Sequence, residues 1–162
     1  MTPEGIGLSA AQMAEVFPFH LAFGPDLQIL QSGPVLQRLC PGLAGGGELG
    51  NHFVIRRPAH ITSFAEICAQ NSSLFILEAR QRALLLRGQV IQLGPSAAAF
   101  LGSPWVTSIS ELETLDLSLH EFAIHDPIAD LLILLQAKDR ILADAQQLAQ
   151  ELRSARRDAK LG

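Results

Sequence analysis

Nowhere in this chain do lysines and arginines gather into a run, and 12 of them stand against 16 acidic residues. A net charge of −4 provides no electrostatic footprint for a phosphate backbone, so a nucleic-acid-binding surface is excluded. No apolar stretch approaches the roughly 20 residues that span a bilayer, and the run from Leu131 to Leu135 is far too short. Met1 to Leu8 lack the basic start and long apolar core of a signal peptide. The expectation is a cytoplasmic protein without membrane contact. Cysteine is scarce as well. Cys40 and Cys68 lie far apart and, without a secretory signal, read as reduced, buried small hydrophobes.

Catalytic motifs are missing too. Gly45-Gly46-Gly47 is followed by Glu48 where a P-loop needs Gly-Lys-Ser/Thr, and there is no Gly-x-Ser-x-Gly elbow. A cyclase catalytic domain needs paired metal-binding aspartates on a much longer chain, and neither pattern nor room for it exists here. A phosphoacceptor histidine would sit on the C-terminal helix, yet no histidine follows His125. The chain by itself is expected to be no enzyme and to carry no cofactor and no metal.

What is present is a globular composition. Hydrophobic residues make up 48% and charged residues 17% of 162, enough for one domain with a full core and a protruding helix. The chain is organised around that helix, which starts at His125-Asp126-Pro127. Asp126 suits an N-cap and Pro127 the first helical position. Leu131, Leu134, Lys138, Ile141, Ala145, Leu148, Leu152, Ala155 and Ala159 then recur at alternating spacings of three and four. This is an a/d seam over about four heptads, roughly 43 Å at 1.5 Å per residue. In this register Glu151 falls at g and Arg156 at the following e, the geometry of an interchain ion pair in a parallel dimer. Lys138 at an a position weakens the seam and sets its register. Leu131 to Leu135 are apolar all round, so they are expected to face a folded body and a partner at once. The alternative is a terminal helix packed along its own domain.

Before that helix the chain reads as residues 1–16, a lead-in with a short helix, and 17–124, a folded domain; 125–162 is the exit helix. Ser9 and Gln12 make a capping box for a helix over Ala10–Val16. Phe17 to Phe23 alternates as a strand, Gly24-Pro25-Asp26 is turn chemistry, and Leu27–Leu30 returns as the second strand of a hairpin. Gly33-Pro34 opens a short helix to Leu39, stopped by Pro41. Residues 41–50 hold five glycines and read as a flexible loop. His52–Arg57 is a short strand, and Ser63 to Glu66 caps a helix through Gln70. Strand candidates follow at Leu74–Ala79, Ala83–Leu93 and Ala97–Leu101, joined by connections short enough for antiparallel neighbours. Ser110 to Glu113 caps a further helix, and Leu117–Ile124 is expected to be extended. The order predicts an α+β fold: an antiparallel sheet of about five strands with short helices on one face.

Five histidines are candidate ligands, and each has a plainer reading. His20, between Phe19 and Leu21, reads as a hydrogen-bonded or solvent-facing strand residue before a haem or metal ligand. His52 and His60 have no cysteine or carboxylate at ligand spacing and read as surface. His120 and His125 are five apart, a poor spacing for one helical face. The His125–Asp126 pair is expected to hold the domain-to-helix junction, with a simple helix cap as the alternative. Arg56-Arg57 reads as a solvated strand edge, and Trp105 as a packed or interface aromatic before a ligand-pocket wall.

The order of elements is that of a PAS domain, and several motifs narrow it. Phe17-Pro18-Phe19-His20 stands with Phe23 and Asp26-Leu27. Phe53 stands with Arg57-Pro58 and Phe64, and Leu84-x-Leu86-x-Gly88-Gln89 follows. Phe100-Leu101-x-Ser103-Pro104 and His125-Asp126 before the helix complete the set. In this order and at these separations the sequence, over about residues 17–150, resembles the haem-NO-binding-associated (H-NOXA, HNOBA) domain. This is the PAS-like module between the haem sensor and the coiled coil of soluble guanylate cyclases, also found in some bacterial signalling kinases. Residues 42–51 are shorter and richer in glycine than the matching loop of animal cyclases, and nothing is carried over from it.

The resemblance implies a non-catalytic dimerising and signal-relaying domain of a guanylate-cyclase-like or histidine-kinase protein. It would couple an upstream haem/NO-type sensor to an output domain through a parallel coiled coil. The implied partner is an identical chain or a paralogue, alongside the neighbouring domains of the parent protein. The rival function is a PAS sensor that binds its own small molecule, haem or flavin.

Overall fold

A computed structural model describes residues 5–161, so Met1 to Glu4 of the expected lead-in and Gly162 lie outside the described residues. Helix α1 (Ala10–Val16) forms where its cap predicts. Ser9 Oγ accepts from the Gln12 N–H at 3.2 Å, and the Gln12 side-chain oxygen accepts from the Ser9 N–H at 2.9 Å. The helix buries none of its residues.

Strands β1 (Leu21–Phe23) and β2 (Ile29–Ser32) form the expected hairpin, each displaced from its expected span. Phe17 serves as the C-cap of α1 and Pro18-Phe19 form a turn, so pairing begins only at Leu21. On the return, the Asp26 carboxylate accepts from the Gln28 N–H at 3.1 Å and Leu27 takes a φ of 63°, which lengthens the turn. Helix α2 (Pro34–Leu39) opens on Gly33-Pro34. A Cβ at Gly33 would stand 1.9 Å from the Pro18 carbonyl oxygen, so that approach of two backbones requires glycine.

The glycine-rich stretch is not a loose loop. A 3₁₀ helix covers Pro41–Gly45, a single bridge joins Gln28 to Glu48, and α3 (Leu49–His52) follows. The glycine count hides two leucines. Leu43 and Leu49 are only 2% and 3% exposed and anchor the stretch in the core. His52 follows suit: its Nε2 lies 2.9 Å from the Gly46 carbonyl oxygen, half-buried where a surface residue was expected.

The remaining elements are β3 (Phe53–Arg57), α4 (Phe64–Ala69), β4 (Phe75–Ala79), β5 (Leu85–Gln92) and β6 (Ala98–Pro104). Helix α5 (Ile109–Thr114), a 3₁₀ turn (Leu119–Glu121) and helix α6 (Ile128–Leu161) complete the chain. Ser63 Oγ accepts from the Glu66 N–H at 3.2 Å and starts α4 as its sequence predicts. Helix α5 starts two residues earlier than Ser110 suggests. Ser108 Oγ accepts from the Glu111 N–H, and the Glu111 carboxylate returns to Thr107, leaving Ser110 inside the helix. Residues 117–124 are not extended throughout: Ser118 and Glu121 close a capping box around the 3₁₀ turn.

The fold is α+β. Its sheet has six antiparallel strands in the order β2-β1-β6-β5-β4-β3, one more than the expected five because β3 pairs with β4 at the edge. The hairpin and the meander β4-β5-β6 meet through β1 and β6, with Leu21 opposite Phe100. Phe19, Leu21, Phe23, Phe75, Leu86, Val90 and Phe100 share one core with Leu36 and Leu39 of α2 and Ile67 of α4, so these short helices cover a single face. At the centre of β5–β6, Gly88 faces Gly102, and a Cβ on Gly102 would lie 2.4 Å from the Arg87 carbonyl oxygen and 2.7 Å from the Phe100 ring. The ring occupies the space that a side chain at Gly102 would fill. The arginines at the sheet edge stay outside, with Arg56 paired to Glu78 on the neighbouring strand.

Candidate functional site

Both terminal helices meet the sheet at one place. The chain leaves α1 through Phe17, whose carbonyl oxygen accepts twice from His20: from the backbone N–H at 3.1 Å and from Nδ1 at 2.8 Å. A carbonyl only accepts, so Nδ1 carries the proton and Nε2 is free to accept from the Gln31 amide, 2.8 Å away. The hairpin brings Gln31 there by pairing it with Ala22. His20 is 1% exposed and fully hydrogen-bonded, a structural histidine. Burial lowers its pKa from 6.5, and the bond to Phe17 opposes that shift.

Held in this way, the Phe17 ring stands edge-on to His125, with centroids 5.8 Å apart and planes at 79°. Beside this pair lies a cleft of about 290 Å³, lined among others by Phe17, Arg87, Ser103, His125 and Asp126. The Arg87 guanidinium sits 6.0 Å from the Trp105 ring centroid, at the outer limit of a cation–π contact. Trp105 itself is 48% exposed on the single chain, so it is not the core aromatic that one reading of the sequence predicts.

Asp126 Oδ1 accepts from the Ile128 N–H at 3.0 Å, and the Pro127 carbonyl accepts from the Leu131 N–H at 2.9 Å. The helix therefore begins at Ile128, one residue beyond the start assigned from Pro127. Its 34 residues extend about 51 Å and carry two apolar stripes. Ile128, Leu132 and Leu135, spaced four and three apart, pack on the domain's core; Leu132 is 2% exposed. The other stripe is the a/d seam, and it is bare: Leu131, Leu134, Ile141, Leu148 and Leu152 are 47–67% exposed. Lys138 and Ala145 on the same stripe are exposed as well. Beyond Leu135 the helix buries nothing, so the alternative of a helix lying along its own domain holds only for its first two turns. Glu151 and Arg156 are exposed, and Glu151 accepts from Gln147 at 3.4 Å within its own helix.

Two ties to the junction have no signal in sequence spacing. Arg38 of α2 binds Glu121 at 2.5 Å and the Asp116 carbonyl oxygen at 3.0 Å, which pins the segment leading into the exit helix. Burial alone would raise the Glu121 carboxyl, but the Ser118 N–H and Arg38 outweigh it and leave the pKa lowered. Arg82 donates to the carbonyl oxygens of Leu39 and Leu115 and so closes the ends of α2 and α5 together. Among the described residues no group of His, Cys, Asp and Glu converges as a metal site, and no helix is long and apolar enough to cross a membrane.

Comparison of the chain with known proteins places it in a family. The family model described as "Heme NO binding associated" matches residues 6–85 and 78–160, and the chain belongs to that family. It is similar to guanylate cyclase soluble subunit beta-2 of Rattus norvegicus, at 32% identity over 148 residues, 84% of this chain and 22% of that protein. It is also similar to the beta-2 subunit of Homo sapiens, at 29% over 84% of this chain and 24% of that protein. The alpha-1 subunit of Canis lupus familiaris is 27% identical over 78% of this chain and 20% of its own length. The chain thus spans about a fifth of the relatives it matches.

Proposed function

We propose that this chain is a non-catalytic dimerisation and relay domain of a guanylate-cyclase-like or histidine-kinase signalling protein. It pairs in parallel through the exit helix and passes a conformational bias from an upstream haem/NO-type sensor to an output domain downstream. The observation that carries this reading is the division of the helix into a docked stripe and a bare one. The docked stripe ties helix orientation to the folded body, and the bare stripe presents Leu131 to Ala159 to a partner. A small rotation of the body then becomes a rotation of the helix pair, provided the pair has two arrangements.

Charge supports a parallel pair. Asp144, Glu151 and Asp158 all fall at g, and an antiparallel pair would set these acids against each other. In parallel, Glu151 meets Arg156 of the other helix. His125, Asp126 and Pro127 are the junction residues on this reading.

The test is mass by light scattering at tens of micromolar for residues 1–162 and for the double variant Ile141→Asp/Leu148→Asp. Both positions are exposed on the single chain, so the variant leaves the fold intact. A dimeric wild type with a monomeric variant is the expected result; a monomeric wild type ends the proposal.

A second reading rests on one further observation. A cleft of about 380 Å³ lies beside β3, lined by apolar residues such as Leu49, Phe53 and Ile67 together with the polar Glu48, His60 and Arg80. A domain that binds its own small molecule, haem or flavin would use it. A Soret or flavin band in the purified chain would favour that reading.

A further inference from the structure

Lys138 does not match the seam it stands in. It occupies an a position between Leu134 and Ile141, and both of these are 67% exposed on the single chain. In a parallel pair an a residue inserts among the partner's preceding d and g residues, its a residue and the following d. Opposite a second copy, Lys138 would meet leucine, alanine, lysine and isoleucine, the residues at 134, 137, 138 and 141. None is acidic. The nearest g-position carboxylate, Asp144, lies six residues further along, and Asp139 is at b, facing away from the seam. A pair of identical chains therefore sets two ammonium groups against each other in an apolar layer.

The rest of the seam gives this layer leverage. Ala145, Ala155 and Ala159 fill three of its nine positions, so little apolar area is available to offset a charged layer. Glu151 and Arg156 do not decide between partners, because a second copy satisfies that pair as well as a relative with the same pattern does. Selection falls on Lys138.

We propose that the exit helix pairs preferentially with a helix that carries a carboxylate opposite Lys138, rather than with its own copy. This inference rests on the parallel coiled-coil reading of the proposed function. An opposed carboxylate converts like-charge repulsion into an ion pair within the same layer, so specificity is gained without altering the neighbouring leucines.

The experiment uses the full chain, a mass-tagged copy carrying Lys138→Glu, and a third carrying Lys138→Leu. Wild type and Lys138→Glu are mixed in equal amounts, and the dimer populations are read by native mass spectrometry. The expected result is a ratio of mixed dimer to the two self-pairs about tenfold above the one-to-one ratio of random pairing, with wild type leaving its own pairs to form the mixed dimer. Lys138→Leu alone should self-associate about tenfold more tightly than wild type. Statistical mixing, together with a Lys138→Leu dimer no tighter than wild type, overturns the inference. Ile141→Cys in the wild-type chain separates the two possible failures. If it forms an interchain disulfide while mixing stays statistical, the coiled coil stands and only the Lys138 inference falls. If it forms none and every chain is monomeric, the coiled-coil reading falls and the inference falls with it.

Discussion

The His125 imidazole stands edge-on to the Phe17 ring, 5.8 Å away, and this contact joins the end of the first helix to the root of the last. Phe17 is held from behind by His20 and His125 is followed by the Asp126 cap, so the two helices meet at one place. Removing the cap with Asp126→Ala is expected to cost about 1 kcal/mol in urea unfolding. In a parent protein the same change should alter signalling output beyond what that stability loss explains. If stability and output are both unchanged, the junction has no role.

The two stripes of the exit helix respond oppositely to truncation. Leu132→Ala empties a site 2% exposed and should cost about 2–5 kcal/mol of stability. Leu134→Ala alters a side chain 67% exposed on the single chain and should change the stability of dilute protein by less than about 0.5 kcal/mol. Self-association, measured by sedimentation, should weaken for Leu134→Ala. Equal stability losses for the two variants would contradict the division into stripes.

His20 sets a pH dependence with a definite sign. Its folded pKa lies below the reference 6.5, so the unfolded chain takes up the proton first as pH falls. The neutral, hydrogen-bonded histidine costs nothing above pH 6.5, and stability should decline as pH drops below that value. Urea midpoints between pH 8 and 5 measure it, and His20→Asn should remove this component of the slope. Glu121, lowered from 4.5, adds its own loss only at more acid pH. A wild-type profile with no decline between pH 6.5 and 5 would contradict the assignment.

Gly33 and Gly102, like Gly88, meet backbone closely on their Cβ side. Gly33→Ala would place a methyl group 1.9 Å from the Pro18 carbonyl oxygen, and Gly102→Ala would place one 2.4 Å from that of Arg87. Each should destabilise by more than about 3 kcal/mol or prevent folding, because strand and turn backbone must move. Gly50→Ala in the short helix α3 meets nothing within 4 Å and should be neutral or stabilising. Thermal melts of the three variants test the contrast.

Much of the fold was legible because it is written in local chemistry. The Ser9–Gln12 box, the Gly33-Pro34 start and the Ser63 cap act within three or four residues, and each element appears where its cap predicts. The failures are also physical. Ser110 resembles a cap as strongly as Ser108 does, and only the return of the Glu111 carboxylate to Thr107 selects the earlier start. The glycines of residues 41–50 read as a loop because composition reports backbone freedom and not the burial of Leu43 and Leu49.

By itself the sequence determined the long helix, its a/d seam, the odd lysine in that seam and the α+β order of elements, since periodicity and capping are properties of neighbouring residues. Only the tertiary structure decided that the body covers a second stripe, Ile128, Leu132 and Leu135, and leaves the seam bare. It also placed Phe17 against His125, buried His20 between Phe17 and Gln31, and put Arg38 on Glu121. Apart from the local bond of His20 to Phe17, these contacts join residues 11 to 108 apart in the chain, and no local pattern encodes them. They form because the hairpin must close on β6 to bury one shared core, which brings both ends of the domain together beside the central strands β5 and β6.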